Sequence, residues 1–142
     1  VITINHGTND WSGSITLDND SNPLDTTTYM GALRYSIETI LTAYPHLKIV
    51  VLSPCWRYWN DSDGNFTNDS NTRTNTLGEA LVSYVSKGKE VAESYQLDWV
   101  DLYHIGFNKL TASIYFPSTD TTHPNNTGRL AIAKKMSECI RV

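Results

Sequence analysis

Asp120 and His123 stand three positions apart in Asp120-Thr121-Thr122-His123-Pro124. Folded into a turn, this spacing lets a carboxylate reach the imidazole Nδ1–H and fix the ring's tautomer, leaving Nε2 free to take a proton from a nucleophile. The same residues also suit a plain turn cap followed by a surface histidine, so the pair alone does not define a function. Gly7-Thr8-Asn9-Asp10 forms the second constellation. A glycine directly after a strand permits a sharp turn and close approach by a substrate. The Asn9 amide could donate a hydrogen bond to an oxyanion, and Asp10 could brace the loop by accepting backbone N–H bonds. Gly, Asn and Asp are equally the residues of an ordinary turn.

A nucleophile is harder to find. Ser12 and Ser14 follow the second segment on a loop and Ser53 ends a strand-like run, but none sits in a strand–tight-turn–helix setting that would expose it. Each reads as a hydrogen-bonding loop residue. Cys55, in Pro54-Cys55-Trp56, matches no cysteine-hydrolase pattern and reads as a structural thiol. His6 and His104 lie in unrelated segments without metal-ligand spacing, so they read as ordinary polar residues. No metal and no cofactor site is expected. Trp11, Trp56, Tyr58 and Trp59 flank the same loops, where they could be platforms for sugar or acyl groups or anchors packed on the scaffold.

The elements that must position these residues alternate in type. Val1–Asn5 is a short β-branched strand, and Trp11 to Thr28 reads as a loop. Met30, Leu33, Ile37, Leu41 and Tyr44 recur at helical spacing and stop at Pro45. Leu47–Leu52 is a continuous apolar run, suited to a parallel strand buried on both faces. The segment from Asn60 to Asn75 is nearly free of apolar residues and reads as a second long loop. Thr76 and Glu79 fit a capping box opening a helix with Leu77, Leu81, Tyr84, Gly88, Val91 and Tyr95 on one face. Leu97–Leu102 is the third strand. Pro124-Asn125-Asn126 opens a last helix whose Ile132, Met136, Cys139 and Ile140 share a face. This order predicts an α/β fold, a parallel sheet covered by helices, in one domain over residues 1–142. Ligands gather at the carboxyl ends of such strands. Those ends deliver His6–Asp10, Ser53–Trp56 and Tyr103-His104, and the same rim would hold Asp120–His123.

A strand ending in Gly7-Thr8-Asn9-Asp10, two further strand–helix units, and Asp120-Thr121-Thr122-His123-Pro124 at the mouth of the last helix together resemble the later half of an SGNH (GDSL-type) ester hydrolase. The first segment matches that family's third block and the second, with Asn125, its fifth. The resemblance implies a three-layer αβα, flavodoxin-like sheet of strand order 2-1-3-4-5. It implies His123 as general base, Asp120 as its orienting partner and Asn9 as oxyanion donor. It also implies that the serine block and the glycine block lie upstream of Val1, so that one or two strand–helix units are missing and the chain alone is inactive. The edge of the strand at Val1–Asn5 would then be open to self-association or to pairing with an N-terminal fragment.

Charge and hydropathy exclude other classes. The 142 residues carry a net charge of −4 without clustered Lys or Arg, which argues against nucleic acid. No apolar run approaches the roughly 18–20 residues that span a bilayer. Two cysteines are too few for a disulfide framework or zinc site. The leading expectation is therefore hydrolysis of carboxylic esters, of acetyl or short acyl groups, with carbohydrate esters among the substrates. A non-catalytic binding or structural module on the same fold is the alternative. A phosphate or nucleotide binder ranks last, because no Gly-rich loop joins a strand to a helix.

Overall fold

A computed structural model describes residues 1–140. Three parallel strands form its sheet in the order β1-β2-β5: β1 (Ile2–Asn5), β2 (Ile49–Leu52) and β5 (Asp98–Val100). Ile4 pairs with Val51, and Val51 in turn with Trp99. All four residues of β2 are buried, as its unbroken apolar run demands of a strand covered on both faces. Because side chains alternate along a strand, β2 feeds two separate cores. Ile49 and Val51 pack with Leu33 and Ile37 of α2 (Tyr29–Ala43) and with Leu81, Tyr84 and Val91 of α3 (Leu81–Ser94). Val50 and Leu52 join Val100 and Leu102 on the other face, under Ile132, Met136, Cys139 and Ile140 of α5 (Asn126–Cys139). The three-layer αβα arrangement is thus present. The outer edge of β1 pairs with no described strand, and Ile2 and Thr3 are exposed.

Helix starts follow side-chain capping where the sequence supplies it. Thr28 accepts from the Gly31 N–H at 3.2 Å to open α2, and Asn125 accepts from the Gly128 N–H at 3.1 Å to open α5. The expected capping box does not form. Asn75 Oδ1 accepts from the N–H groups of both Leu77 and Glu79 at 3.0 Å, closing a turn, and α3 begins later, at Leu81. Leu77 is consequently exposed rather than on the core face. An Asx-type turn captured the backbone donors that the Thr76 hydroxyl would have needed.

The polar segment after Asn60 also departs from the expected loop. It contains half of a hairpin, β3 (Tyr58–Asn60) with β4 (Phe66–Asp69), whose turn is held by Asp61 Oδ1 accepting from the N–H groups of Asp63 and Asn65. Stacked rings anchor it: Tyr58 lies on Phe66 at 6.0 Å and on Trp56 at 5.5 Å. Two single-turn helices complete the chain, α1 (Thr8–Ser12) and α4 (Ala112–Tyr115). No helix among the described residues is long and apolar enough to cross a membrane.

Candidate active site

The site begins at the carboxyl end of β1. Gly7 has φ +124°, a conformation that L side chains rarely adopt, and a Cβ there would press on Tyr29 and Pro54 at 3.3–3.4 Å. The turn it permits leads into α1, where the Trp11 N–H donates to the Gly7 carbonyl at 2.9 Å. Trp11 is buried and its Nε1–H donates to the Glu79 carbonyl at 2.8 Å, pinning α1 to the loop before α3. Asn9 projects from this mount, exposed, and its carboxamide bonds to no described residue. Asp10 does not brace the loop through backbone N–H bonds. Its carboxylate faces His6 Nδ1 at 3.5 Å, and the His6 ring stacks on Tyr29 at 4.8 Å.

Asp120 and His123 meet as their spacing allows. Asp120 Oδ1 accepts from the N–H groups of Thr122 at 2.8 Å and His123 at 2.9 Å, and Oδ2 lies 2.7 Å from His123 Nδ1. The backbone N–H of His123, then that of Thr122, then the imidazole itself hold the Asp120 carboxyl down at about 2. An ionised carboxylate only accepts, so Nδ1 carries the N–H of this pair and, in the neutral ring, Nε2 keeps its lone pair. That nitrogen faces solvent, the side chain being 76% exposed. Because this carboxyl is lowered by folding, its contribution to the native turn is complete above the ordinary carboxylate range and is lost only as pH falls through about 2. A carboxyl-selective NMR titration is expected to show Asp120 still ionised at about pH 3, where free aspartates are protonated.

A second pair has the same construction. Asp101 Oδ1 accepts from the N–H groups of Tyr103 and His104, and Oδ2 lies 2.8 Å from His104 Nδ1. His104 is therefore a partner of Asp101, not an unattached polar residue, and Asp101-Leu102-Tyr103-His104 carries the same spacing as Asp120–His123. Sequence reading could have found it by that spacing alone. Both turns bond to the hairpin, Asp101–His104 through the Tyr103 hydroxyl on Ser70 Oγ at 3.0 Å, and the surroundings of the rings separate the two. The Tyr58 N–H donates to the Thr121 carbonyl at 3.3 Å, tying the Asp120–His123 turn to β3. From β3's flank, Arg57 Nη1 donates to Ser12 Oγ at 3.3 Å, on the helix that carries Asn9. His104 instead faces Lys134, Lys135 and Glu138 of α5.

The remaining candidates are occupied structurally. Ser53 is buried, and its Oγ accepts from the N–H groups of Leu102 and Tyr103. Ser12 accepts from Arg57, and Ser14 accepts from the Thr76 N–H at 3.2 Å. Burial pushes the Cys55 thiol up to about 12, which keeps it protonated. Trp11, Trp56 and Tyr58 are buried anchors, while Trp59 is half-buried on a cleft. No group of three or more His, Cys, Asp or Glu among the described residues is placed to hold a metal ion.

No protein-family model matches the sequence, and no curated protein matches it. Solved structures do. A protein from Lactobacillus plantarum superposes with a TM-score of 0.78 at 28% identity, over 96% of this chain and 64% of that one. A protein classed as a GDSL-like lipase from Bacteroides ovatus gives 0.60 at 16% identity, over 96% and 51%. An acetyl-xylooligosaccharide esterase from Geobacillus gives 0.61 at 19% identity, over 99% and 58%. The chain thus spans between about half and two thirds of the length of these proteins. With its parallel β1-β2-β5 sheet, its helices on both faces and these neighbours over nearly all its residues, this chain shares the fold of the GDSL-like lipase and of the acetyl-xylooligosaccharide esterase.

Proposed function

We propose that the chain carries the base and the oxyanion donor of a serine-type ester hydrolase, whose nucleophile comes from a segment outside these 142 residues. The observation that supports it most is the Asp120–His123 pair at 2.7 Å, with the tautomer fixed and Nε2 free. His123 then takes the proton of an attacking serine hydroxyl and returns it to the leaving alkoxide, while Asp120 stays ionised and stabilises the imidazolium. Asn9 donates its side-chain N–H to the tetrahedral oxyanion. No hydroxyl of a described serine bonds to His123, which supports a nucleophile supplied from outside these residues. Acetyl and short acyl esters, carbohydrate esters among them, are the substrates proposed. The acetyl-xylooligosaccharide esterase among the fold neighbours supports that class.

The full-length protein is expected to hydrolyse 4-nitrophenyl acetate, and the 142-residue chain alone to give only the buffer rate. Turnover by the short chain that His123→Ala abolishes would place the nucleophile within it. No hydrolysis of any short acyl ester by the full-length protein would favour a non-catalytic module on this fold.

The open edge of β1 leads to a proposal about partners. Unpaired strand N–H and C=O groups template further pairing, so the 142-residue chain alone should self-associate through Ile2–Asn5 or retain a copurifying N-terminal peptide. Light scattering reads this directly, and a well-folded monomer with no bound peptide would contradict it.

A further inference from the structure

Between α1 and the flank of β3 lies a cleft of about 410 Å³ whose walls include Trp11, Ser12, Arg57, Trp59 and Arg73. Its two cations converge on one indole. The Arg57 guanidinium carbon lies 4.9 Å from the Trp59 ring centroid and 5.6 Å from that of Trp11, and the Arg73 carbon lies 4.5 Å from Trp59. Neither arginine has a carboxylate within salt-bridge distance among the described residues. Arg57 uses one donor on Ser12 Oγ, while its Nε–H is shielded from solvent without a partner. Two neighbouring cations without a carboxylate partner, on a chain of net charge −4, form an arrangement that an anion would complete. Burial, and then the neighbouring Arg73 charge, hold the Arg57 guanidinium below its ordinary value, and Asp120 acts in the opposite sense. The Tyr58 N–H, one residue after Arg57, donates to the Thr121 carbonyl at 3.3 Å and joins this wall of the cleft to the dyad turn.

The two guanidinium groups over Trp59 favour an oxyanion over a bare sugar face as the ligand. A guanidinium laid on an indole spends its plane on the ring and keeps its N–H edge for forked hydrogen bonds, the geometry that carboxylates and phosphates match. The Trp59 surface nearest the cleft is thus engaged by arginine. Hydroxyls of Ser12, Ser14, Thr74 and Thr76 supply further donors around the rim.

We propose that the Arg57–Arg73 cleft is a specificity subsite for an oxyanion, a carboxylate in the first instance, carried by the ester substrate. This rests on the hydrolase reading of the dyad, and the test separates the two. Tryptophan fluorescence of the full-length protein is titrated with glucuronate and, as neutral control, with methyl glucoside. Glucuronate should give a saturable, salt-sensitive response that survives His123→Ala and is lost in Arg57→Gln/Arg73→Gln. Arg73 is exposed and its side chain holds no hydrogen bond to a described residue, so Arg73→Gln alone, which should weaken the response, guards against misfolding of the double variant.

Kinetics distinguish which side of the ester carries the charge. One arm compares 4-nitrophenyl hemisuccinate with the butyrate, and the other compares acetylated glucuronate with acetylated glucose. In at least one arm the charged ester should be favoured by roughly tenfold to hundredfold in kcat/KM, the worth of one charge-assisted fork, and the double variant should bring that ratio to about one. Arginine-dependent glucuronate binding without turnover of any ester would sink the hydrolase reading and leave the subsite standing. Ester turnover with no charge preference in either arm, together with no arginine-dependent binding, would overturn the subsite.

Discussion

His123→Ala in the full-length protein is expected to lower kcat on short acyl esters by at least about 10⁴-fold, whereas His104→Ala should stay within about threefold of the parent. The comparison matters because the two histidines are locally equivalent. Each accepts the same wiring from an aspartate three residues earlier, at 2.7 and 2.8 Å, and each ring is largely exposed. Local geometry therefore gives both a defined tautomer and a free Nε2. What differs is the company that nitrogen keeps. The Asp120–His123 turn hangs on β3 through the Tyr58–Thr121 bond, and Arg57 joins that strand to α1. His104 looks toward the lysines of α5, although its neighbour Tyr103 also bonds the hairpin through Ser70. Removing the base strands the nucleophile in its neutral form, while removing His104 costs only an exposed contact with Asp101. The two alanine variants measured side by side on 4-nitrophenyl acetate would decide it. Equal losses would mean that the base is not His123 alone.

The parts of this molecule that were legible in its sequence are those where one physical signal dominates. The unbroken Ile49–Leu52 run could only be a strand covered on both faces, and the structure buries every one of its residues. The helical periods of α2 and α5 lie outside competition from turn chemistry, and their apolar faces pack as their spacing requires, apart from Tyr44, which is exposed just past the end of α2. Failure came where short polar side chains compete for backbone donors. Asn75 took the N–H groups that the Thr76–Glu79 pattern seemed to assign to a helix cap, and α3 began at Leu81. Likewise the hairpin of Tyr58–Asp69 carries no apolar alternation, because it is held by ring stacking and an aspartate turn rather than by a two-faced core. The arginine–tryptophan cleft was hidden for a related reason. Arg57 and Arg73 are sixteen positions apart, and only that hairpin brings both to Trp59.

Asn9→Ala in the full-length protein should cost about 10²–10³ in kcat, with KM and thermal stability nearly unchanged. The expectation follows from how the side chain is mounted. Its carboxamide is exposed and bonds to no described residue, so truncation leaves no cavity and orphans no partner. The backbone beneath it is nonetheless constrained on three sides. Gly7 sets the turn at φ +124°, Trp11 is buried with its indole N–H on the Glu79 carbonyl, and the Gly13 N–H closes on the Asn9 carbonyl at 2.8 Å. A donor with no structural duty on a rigid base acts only where charge develops in the transition state. Asn9→Asp is the sharper form of the experiment, since a carboxylate of nearly the same shape presents negative charge to the oxyanion and should fall below even the alanine variant. Loss of melting temperature in step with activity would make Asn9 a structural turn residue. A fall in kcat alone, deepest for the aspartate, is the signature that only an oxyanion donor produces.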